Sequence, residues 1–232
     1  MKKNYFILFL MIFYLFFQLS TLDYGFKIND IDYIKNHHLD EEIINEFREK
    51  KKIKTKHNVD FDEAWIYRYK LYSINADEVN SIMGLSKIDP KEKKFDPQVY
   101  KYGGAFIYPL GLYFFTLNKL NILDNISSKN ILQNDQLIDQ IYFHGRFFVL
   151  ICFILSCYFL YKSLILFSTK KNALLLSSIY LFVPGSIIYS QVIQPHWYGL
   201  LWINLSIYYA LKYIKQSPNK NYLLYLSIFL GL

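Results

Sequence analysis

Three short polar stretches of the sequence carry side chains that exchange protons or bind anions. Asp77 and Glu78 lie in the stretch NADE, Arg146 lies in HGRFF, and His196 lies in QPHW. Carboxylates and imidazoles serve as general acids and bases, and a guanidinium binds phosphate or carboxylate groups. These stretches form the candidate site, provided that the fold brings them to one face of the protein.

The sequence lacks the motifs of several common enzyme classes. It contains no glycine-rich phosphate loop, no Cys/His zinc pattern and no Ser nucleophile elbow. His37 and His38 lie beside Asp40 without further ligands at metal-site spacing. The spacing of Cys152 and Cys157 does not match a metal-binding or redox motif. We assign no metal ligand and no cofactor, and we expect an enzyme here to use a donor other than a cytoplasmic nucleotide.

The composition is that of a membrane protein. The 232 residues are 53% hydrophobic and include 22 Tyr and 20 Phe, more aromatic side chains than a soluble domain of this length usually carries. The formal net charge is +7, but the lysines cluster beside apolar runs, where the positive-inside rule accounts for them. We therefore expect no nucleic-acid partner.

The apolar runs predict an all-α, polytopic transmembrane protein. The first run, residues 4–22, follows two lysines and shows no small-residue cleavage site, so we expect an uncleaved transmembrane helix with a cytoplasmic N-terminus. Residues 23–146 are predicted to form a long extracytoplasmic loop that includes a juxtamembrane helix at 103–120. Further transmembrane helices are predicted at 147–167, 173–190, 197–214 and 222–232.

Basic residues predict the side of the membrane on which each connection lies. The connections at 162–171 and 212–220 are rich in lysine, whereas the connection at 190–196 has no Lys or Arg. The first two should be cytoplasmic and the third external. This topology requires that 103–120 does not cross the bilayer, and Pro109 with its neighbouring glycines favours a broken, partly embedded helix. The candidate site residues then share the outer face, close to the membrane.

Several motifs occur in the order seen in a known family. The acidic dyad in NADE is followed by FDP and YKYGGAFIYPLG, and then by HGRFF at the start of a helix. A basic turn, LFSTKKN, leads into a helix that ends near a proline, and QPHWYGLLW opens the next helix. Over roughly residues 73–214 the chain resembles the GT-C fold glycosyltransferases, a superfamily that includes protein O-mannosyltransferases and the bacterial aminoarabinose transferases.

The resemblance implies a reaction and roles for particular residues. It implies an inverting transfer of a sugar from a polyprenyl-phosphate donor, with Asp77 as the base that takes the acceptor proton and Glu78 positioning substrate. A cation beside the departing lipid phosphate would stabilise its charge. Arg146 matches the arginine that opens the corresponding helix in the family, and Lys101 is a second candidate. His196 stands where many relatives carry an acidic residue, and it would bind substrate through hydrogen bonds.

Other interpretations of the same residues stay open. Asp40 follows the first helix at a distance also seen in the family and is a second candidate for the base. Arg146 can anchor a helix end at the headgroups, and His196 can pair with interface aromatic residues. Tyr102 is assigned to substrate binding, because a tyrosine ring stacks on a pyranose face, with an interface anchor as the alternative.

Partners and location follow from the resemblance. We expect a polyprenyl-phosphate sugar, membrane lipid and a glycan, lipid or protein acceptor, in the cell membrane or inner membrane of a cell envelope. Dependence on a divalent metal stays open. One alternative is a non-catalytic membrane protein, such as a transporter subunit or assembly partner. Another is an inactive fragment, because the last apolar run stops at Leu232 whereas family members continue through further helices.

Overall fold

The computed structural model describes residues 5–22, 73, 75–88, 90, 93–124, 134–216 and 220–230. Within these residues the secondary structure is helical, without a β-strand, which confirms the all-α expectation. The candidates Asp40, His37 and His38 lie outside the described residues. The helices are α1 (Tyr5–Leu19), α2 (Ala76–Ser86), α3 (Gly104–Lys119), α4 (Asp135–Leu164), α5 (Lys170–Phe182), α6 (Pro184–Tyr189), α7 (Pro195–Gln216) and α8 (Lys220–Leu230), with a 3₁₀ turn at Tyr100–Tyr102.

The chain divides into two compact units. The bundle unit consists of Met1–Leu22 and Gly145–Leu232, and the inserted unit consists of Asp23–His144. The division falls inside α4, so this helix belongs to the inserted unit up to His144 and to the bundle unit from Gly145. Each unit has its own buried apolar residues.

Aromatic packing organises the bundle unit. The ring of Phe153 in α4 is fully buried, and three other helices each place one ring against it. Its centroid lies 5.4 Å from that of Tyr14 in α1, 5.5 Å from that of Tyr180 in α5 and 4.6 Å from that of Trp197 in α7. Aromatic pairs at these separations contribute beyond their buried area. Phe153 therefore fixes the position of four helices relative to one another.

A buried polar network joins α1 to α6. Tyr14 donates to the carbonyl oxygen of Ser186 at 3.2 Å and shares a hydrogen bond of 3.1 Å with the Ser190 hydroxyl. Gln18 donates to the Tyr14 hydroxyl at 2.7 Å, and Gln191 donates to the side-chain oxygen of Gln18. Polar groups inside an apolar bundle need such partners. α1 is therefore part of the interior of the bundle unit.

A proline divides the segment that the sequence analysis predicts as one helix at 173–190. α5 ends at Phe182, Val183 is extended with φ −65° and ψ 137°, and Pro184 is the first residue of α6. Proline disfavours helical backbone at the residue before it and lacks the N–H of a continuing helix. The prediction of a single helix is therefore wrong at this point.

α4 begins earlier than the predicted boundary at 147. The side-chain oxygen of Asn134 accepts from the amides of Gln136 and Leu137 at 3.1 and 3.3 Å, which caps the helix. Residues 135–146, expected in the loop, are therefore helical. Among the described residues, only the stretch Gln136–Leu164 of 29 residues is long and apolar enough to cross a membrane, while α1 is apolar but shorter.

The inserted unit packs α2 against α3. A Cβ placed on Gly111 of α3 would lie 3.0 Å from the Leu85 side chain of α2, so the small residue permits the close approach. α3 runs through Pro109 as one helix. The predicted break at Pro109 is absent, because this residue lies early in the helix, where its missing N–H removes a single hydrogen bond.

Candidate functional site

Two side chains build the start of α2. Ser73 donates to the carbonyl of Asn75 at 2.8 Å, and its hydroxyl oxygen accepts from the Asn75 amide at 3.1 Å. Asn75 is the N-cap residue, and its side-chain oxygen accepts from the amide of Asp77 at 3.0 Å. Such a cap fixes the residue at which a helix begins. It therefore holds Asp77 in the first turn of α2.

Asp77 forms an ion pair with Lys101. The Lys101 Nζ atom lies 2.7 Å from Asp77 Oδ1, and the side chains of Lys101 and Asp77 are 61% and 39% exposed. The hydrogen bond to Asp77 is the main reason that the pKa of Lys101 is raised. The site therefore presents a carboxylate and an ammonium group together at the protein surface.

Gly103 lies between the 3₁₀ turn that carries Lys101 and the start of α3. Lys101 lies in the 3₁₀ turn, and Gly103 separates this turn from α3 with a φ of 68° and a ψ of 158°. A side chain at Gly103 would strain this conformation, which glycine adopts readily. The turn also places the Lys101 ammonium 5.3 Å from the centre of the Tyr102 ring. One short segment thus supplies both the cation and the aromatic ring of the site.

The Tyr102 hydroxyl is buried beside Asp77, Lys101 and Asn80. Weak hydrogen bonds to these three side chains contribute to its pKa, although none of the contacts has the distance and angle of a normal hydrogen bond. That pKa is raised, first by burial and then by a hydrogen bond to Asp77. A buried hydroxyl with poorly aligned hydrogen bonds recovers only part of its desolvation cost. An incoming polar group could remove this cost by accepting from Tyr102.

The two residues of the acidic dyad have different environments. The Glu78 side chain is fully buried, whereas Asp77 is partly exposed. A buried carboxylate belongs to the internal packing of the unit and needs partners there. Only Asp77 of the pair is accessible to a ligand from solvent in this structure, and the predicted direct role of Glu78 in positioning substrate stays a prediction.

Arg146 lies in the bundle unit and contacts the end of the first helix. Its side chain is 5% exposed, and Nη1 donates to the Leu22 carbonyl at 2.7 Å. Cationic side chains commonly satisfy carbonyl groups beyond a helix C-terminus. This contact favours the interpretation of Arg146 as a helix-end anchor, and its role beside a lipid phosphate stays a prediction.

His196 is the second residue of α7 and its imidazole is exposed. The preceding Gln194 is buried, and the following Trp197 packs on Phe153. His196 is therefore accessible, and its part in binding substrate stays a prediction. The predicted site residues divide by unit into Asp77, Glu78, Lys101 and Tyr102 on one side and Arg146 and His196 on the other.

Some features of the site were missed at the level of sequence. Asn75 and Glu78 have the spacing of a capping box, which is a signal for a helix start before Asp77. The approach of Asn80 to the Tyr102 hydroxyl has no local sequence signal. Within the described part of the chain, no group of three or more His, Cys, Asp or Glu residues is placed to hold a metal ion.

Comparisons with known proteins do not extend this description. No protein-family model, no curated protein and no solved structure matches the chain. The likeness to GT-C glycosyltransferases therefore depends on the motifs and the site residues alone.

Proposed function

We propose that the protein is a multi-pass membrane glycosyltransferase of GT-C type. It transfers a sugar from a polyprenyl-phosphate donor to an acceptor hydroxyl on the extracytoplasmic face, with Asp77 as the general base. The observation that carries the proposal is the cluster of Asp77, Lys101 and Tyr102, which combines an accessible carboxylate, an ammonium group and a buried tyrosine hydroxyl.

The membrane placement is supported by the surface of the bundle unit. Phe6, Phe9 and Phe16 of α1 are each more than half exposed, although the opposite side of α1 is buried. Large continuous apolar surfaces mark contact with lipid or with another protein. Acyl chains would cover these rings, and the burial of Tyr14 and Gln18 in the same unit supports α1 as a retained helix.

The chemistry needs a carboxylate that can receive a proton. The oxygen of the acceptor hydroxyl attacks the anomeric carbon, Asp77 takes the hydroxyl proton, and the bond from the anomeric carbon to the phosphate oxygen breaks. The lipid phosphate leaves with the electron pair of that bond. Asp77 suits this part because its carboxylate reaches the surface while its backbone is fixed by the Asn75 cap.

Lys101 suits the phosphate. In the free protein Lys101 is paired with Asp77, but ion pairs between exposed side chains contribute only about 0–1 kcal/mol to stability. The donor phosphate carries one negative charge and gains a second as its bond to the sugar breaks, so it competes well for such an ammonium group. Binding of the donor would transfer Lys101 from Asp77 to the phosphate, and the carboxylate would then accept the proton of the acceptor.

Tyr102 adds a hydrogen-bond donor. Its pKa is raised by burial and by Asp77, so the hydroxyl keeps its proton at neutral pH. It can donate to a phosphate or sugar oxygen with better geometry than its contacts in the free protein have. The ring of Tyr102 also offers the face on which a pyranose stacks.

The test compares Asp77→Asn with Asp96→Asn in the full chain in membranes. Both variants replace an accessible carboxylate of the inserted unit by an amide. Transfer of labelled sugar from a polyprenyl-phosphate donor should be lost in Asp77→Asn and kept in Asp96→Asn. Transfer at the unmodified rate by Asp77→Asn would rule out the assigned base, and a non-catalytic membrane protein would show no transfer in any variant.

A further inference from the structure

The charges of the chain are segregated between the two units. All 19 Asp and Glu residues lie within 23–144, so the bundle unit has no carboxylate side chain. The bundle unit nevertheless carries a set of cations, which in sequence order are Lys2, Lys3, Arg146, Lys162, Lys170, Lys171, Lys212, Lys215 and Lys220. Its lysines therefore have no acidic side chain within their own unit to neutralise them.

Contacts between helix ends bring most of these lysines to one end of the bundle unit. Lys215 near the end of α7 donates to the carbonyl of Leu166, just beyond the end of α4, at 2.6 Å. Lys212 of α7 lies 5.3 Å from the ring centre of Tyr222 in α8. The ends of α4 and α7 and the starts of α5 and α8 therefore meet. We call this end, with Lys162, Lys170, Lys171, Lys212, Lys215 and Lys220, the lysine end.

Aromatic rings hold three of the lysines in place. The Lys162 ammonium lies 5.7 Å from the ring centre of Tyr158, and the Lys215 ammonium lies 5.4 Å from that of Phe167. Lys212 lies between two helices, 5.0 Å from the ring centre of Tyr208 in addition to its contact with α8. A cation over a ring keeps its charge and its donors available. The rings thus order these three lysines without neutralising their charge.

This combination matches the headgroup region of a bilayer. Aromatic rings prefer the boundary between acyl chains and water, and lysines near an anionic leaflet gain about 1 kcal/mol each. Phe167 is more than half exposed beside Lys215, so an apolar surface adjoins the ammonium groups. An amphiphile with a phosphate head and acyl tails satisfies both surfaces, whereas free phosphate satisfies only the lysines.

We propose that the lysine end binds the phosphate headgroup of an anionic phospholipid. The inference rests on the proposed membrane placement but not on the transfer reaction. Lys212 and Lys215 contact the phosphate oxygens, while the rings beside them pack on the glycerol and upper acyl region. Bound lipid supplies the negative charge that the sequence of the bundle unit lacks.

The test measures lipid binding by the full chain in neutral detergent with native mass spectrometry. Phosphatidylglycerol should bind more tightly than phosphatidylcholine. Lys212→Gln with Lys215→Gln should weaken phosphatidylglycerol binding by about fivefold per lysine and leave phosphatidylcholine binding unchanged. Lys212→Arg with Lys215→Arg keeps both charges and should retain the preference. Lys93→Gln with Lys94→Gln removes the same charge from exposed residues of the inserted unit and should change nothing.

Three results would overturn the inference. Equal binding of the two lipids by the unmodified chain would remove the headgroup preference. An equal effect of the two glutamine pairs would show that net charge, rather than the lysine end, sets affinity. Displacement of phosphatidylglycerol by inorganic phosphate at equal concentration would identify a free-anion site. The proposal that the chain is an integral membrane protein is tested separately. If it is wrong, alkaline carbonate should extract the chain from membranes.

Discussion

The ion pair between Asp77 and Lys101 allows catalysis and stability to be separated. At 2.7 Å, two unit charges in water interact by about 1.5 kcal/mol before screening. Both side chains are more than a third exposed, so solvent and side-chain entropy reduce the net contribution to about 1 kcal/mol or less. The position of Asp77 in the first turn of α2 adds about 0.3–1 kcal/mol through the helix dipole. Asp77→Asn should therefore lower the free energy of unfolding by less than about 2 kcal/mol.

The effect on transfer should be far larger. A general base contributes about 10²–10⁴-fold to a rate, so Asp77→Asn should lower kcat by at least about a hundredfold. Lys101→Gln should instead raise the KM for the polyprenyl-phosphate donor, because a charged hydrogen bond to phosphate contributes about 1.5–3 kcal/mol. That range corresponds to roughly a 10- to 150-fold increase in KM.

The assay follows labelled sugar transfer by the purified chain in bilayers and thermal unfolding in one detergent. Asp77→Asn, Lys101→Gln and the double variant are measured together, with Asp96→Asn as the matched control. The double variant should lose no more stability than the two single variants combined. Unchanged kcat in Asp77→Asn would refute the role of the base. A loss of stability above about 3 kcal/mol would show that Asp77 is structural, contrary to its exposure.

Three further predictions concern the framework. Arg146→Met should lower the free energy of unfolding by about 1.5–3 kcal/mol, because a buried charged donor to Leu22 is lost, and Arg146→Lys should lose less on thermal melting. Asn204→Leu should cost about 1–2 kcal/mol in the same assay, since its side chain donates to the carbonyl and hydroxyl of Ser156 at 3.2 and 2.8 Å. The pKa of Asp96 is lowered, chiefly by the amide two residues on, so its contribution to stability is present above the ordinary aspartate pKa. That contribution is lost as the pH falls through the lowered pKa, and hydrogen-exchange protection of the turn should decrease there.

Each framework prediction has its own control and contrary result. Arg146→Met with unchanged melting would assign the arginine to ligand binding instead of anchoring. Ser156→Ala removes one of the two bonds to Asn204, so a larger loss than in Asn204→Leu would contradict the assigned contacts. Asp96→Ala should show low protection of the turn at every pH, and protection equal to that of the unmodified chain would exclude the carboxylate as its cause.

The helical class was predictable from the sequence, but several boundaries were not. Apolar runs fix the class because only helices satisfy every backbone group within one apolar segment. The polar residues before position 147 concealed the first turns of α4, which begin at the Asn134 cap and alternate buried and accessible side chains. Pro184 is present in the sequence, but the apolar run continues on both sides of it. The length of this run predicted one helix, whereas the backbone forms two, α5 and α6.

The sequence predicted which residues form the site better than it predicted the contacts between them. Asp77 and Lys101 were both named from the sequence, but the pair spans 24 positions and depends on how α2 and the 3₁₀ turn pack. The bond from Arg146 to Leu22 spans 124 positions, and no local pattern distinguishes it from a bond to phosphate. The burial of Glu78 beside an accessible Asp77 depends on the exact start of α2, because adjacent helical residues face different directions.

The absence of acidic residues from the bundle unit restricts the search for the general base if Asp77 does not have this role. An inverting transfer needs a proton acceptor, and within these 232 residues every carboxylate side chain belongs to the inserted unit. Asp40 is the next candidate for the base. If Asp77→Asn keeps transfer activity, the double variant Asp40→Asn with Asp77→Asn should lose it. If transfer survives both changes, a scan of the remaining Asp and Glu residues in 23–144 must find the base. A chain that still transfers sugar with none of these carboxylates essential would require a mechanism without a carboxylate from this sequence, and the proposed chemistry would then be wrong irrespective of the fold.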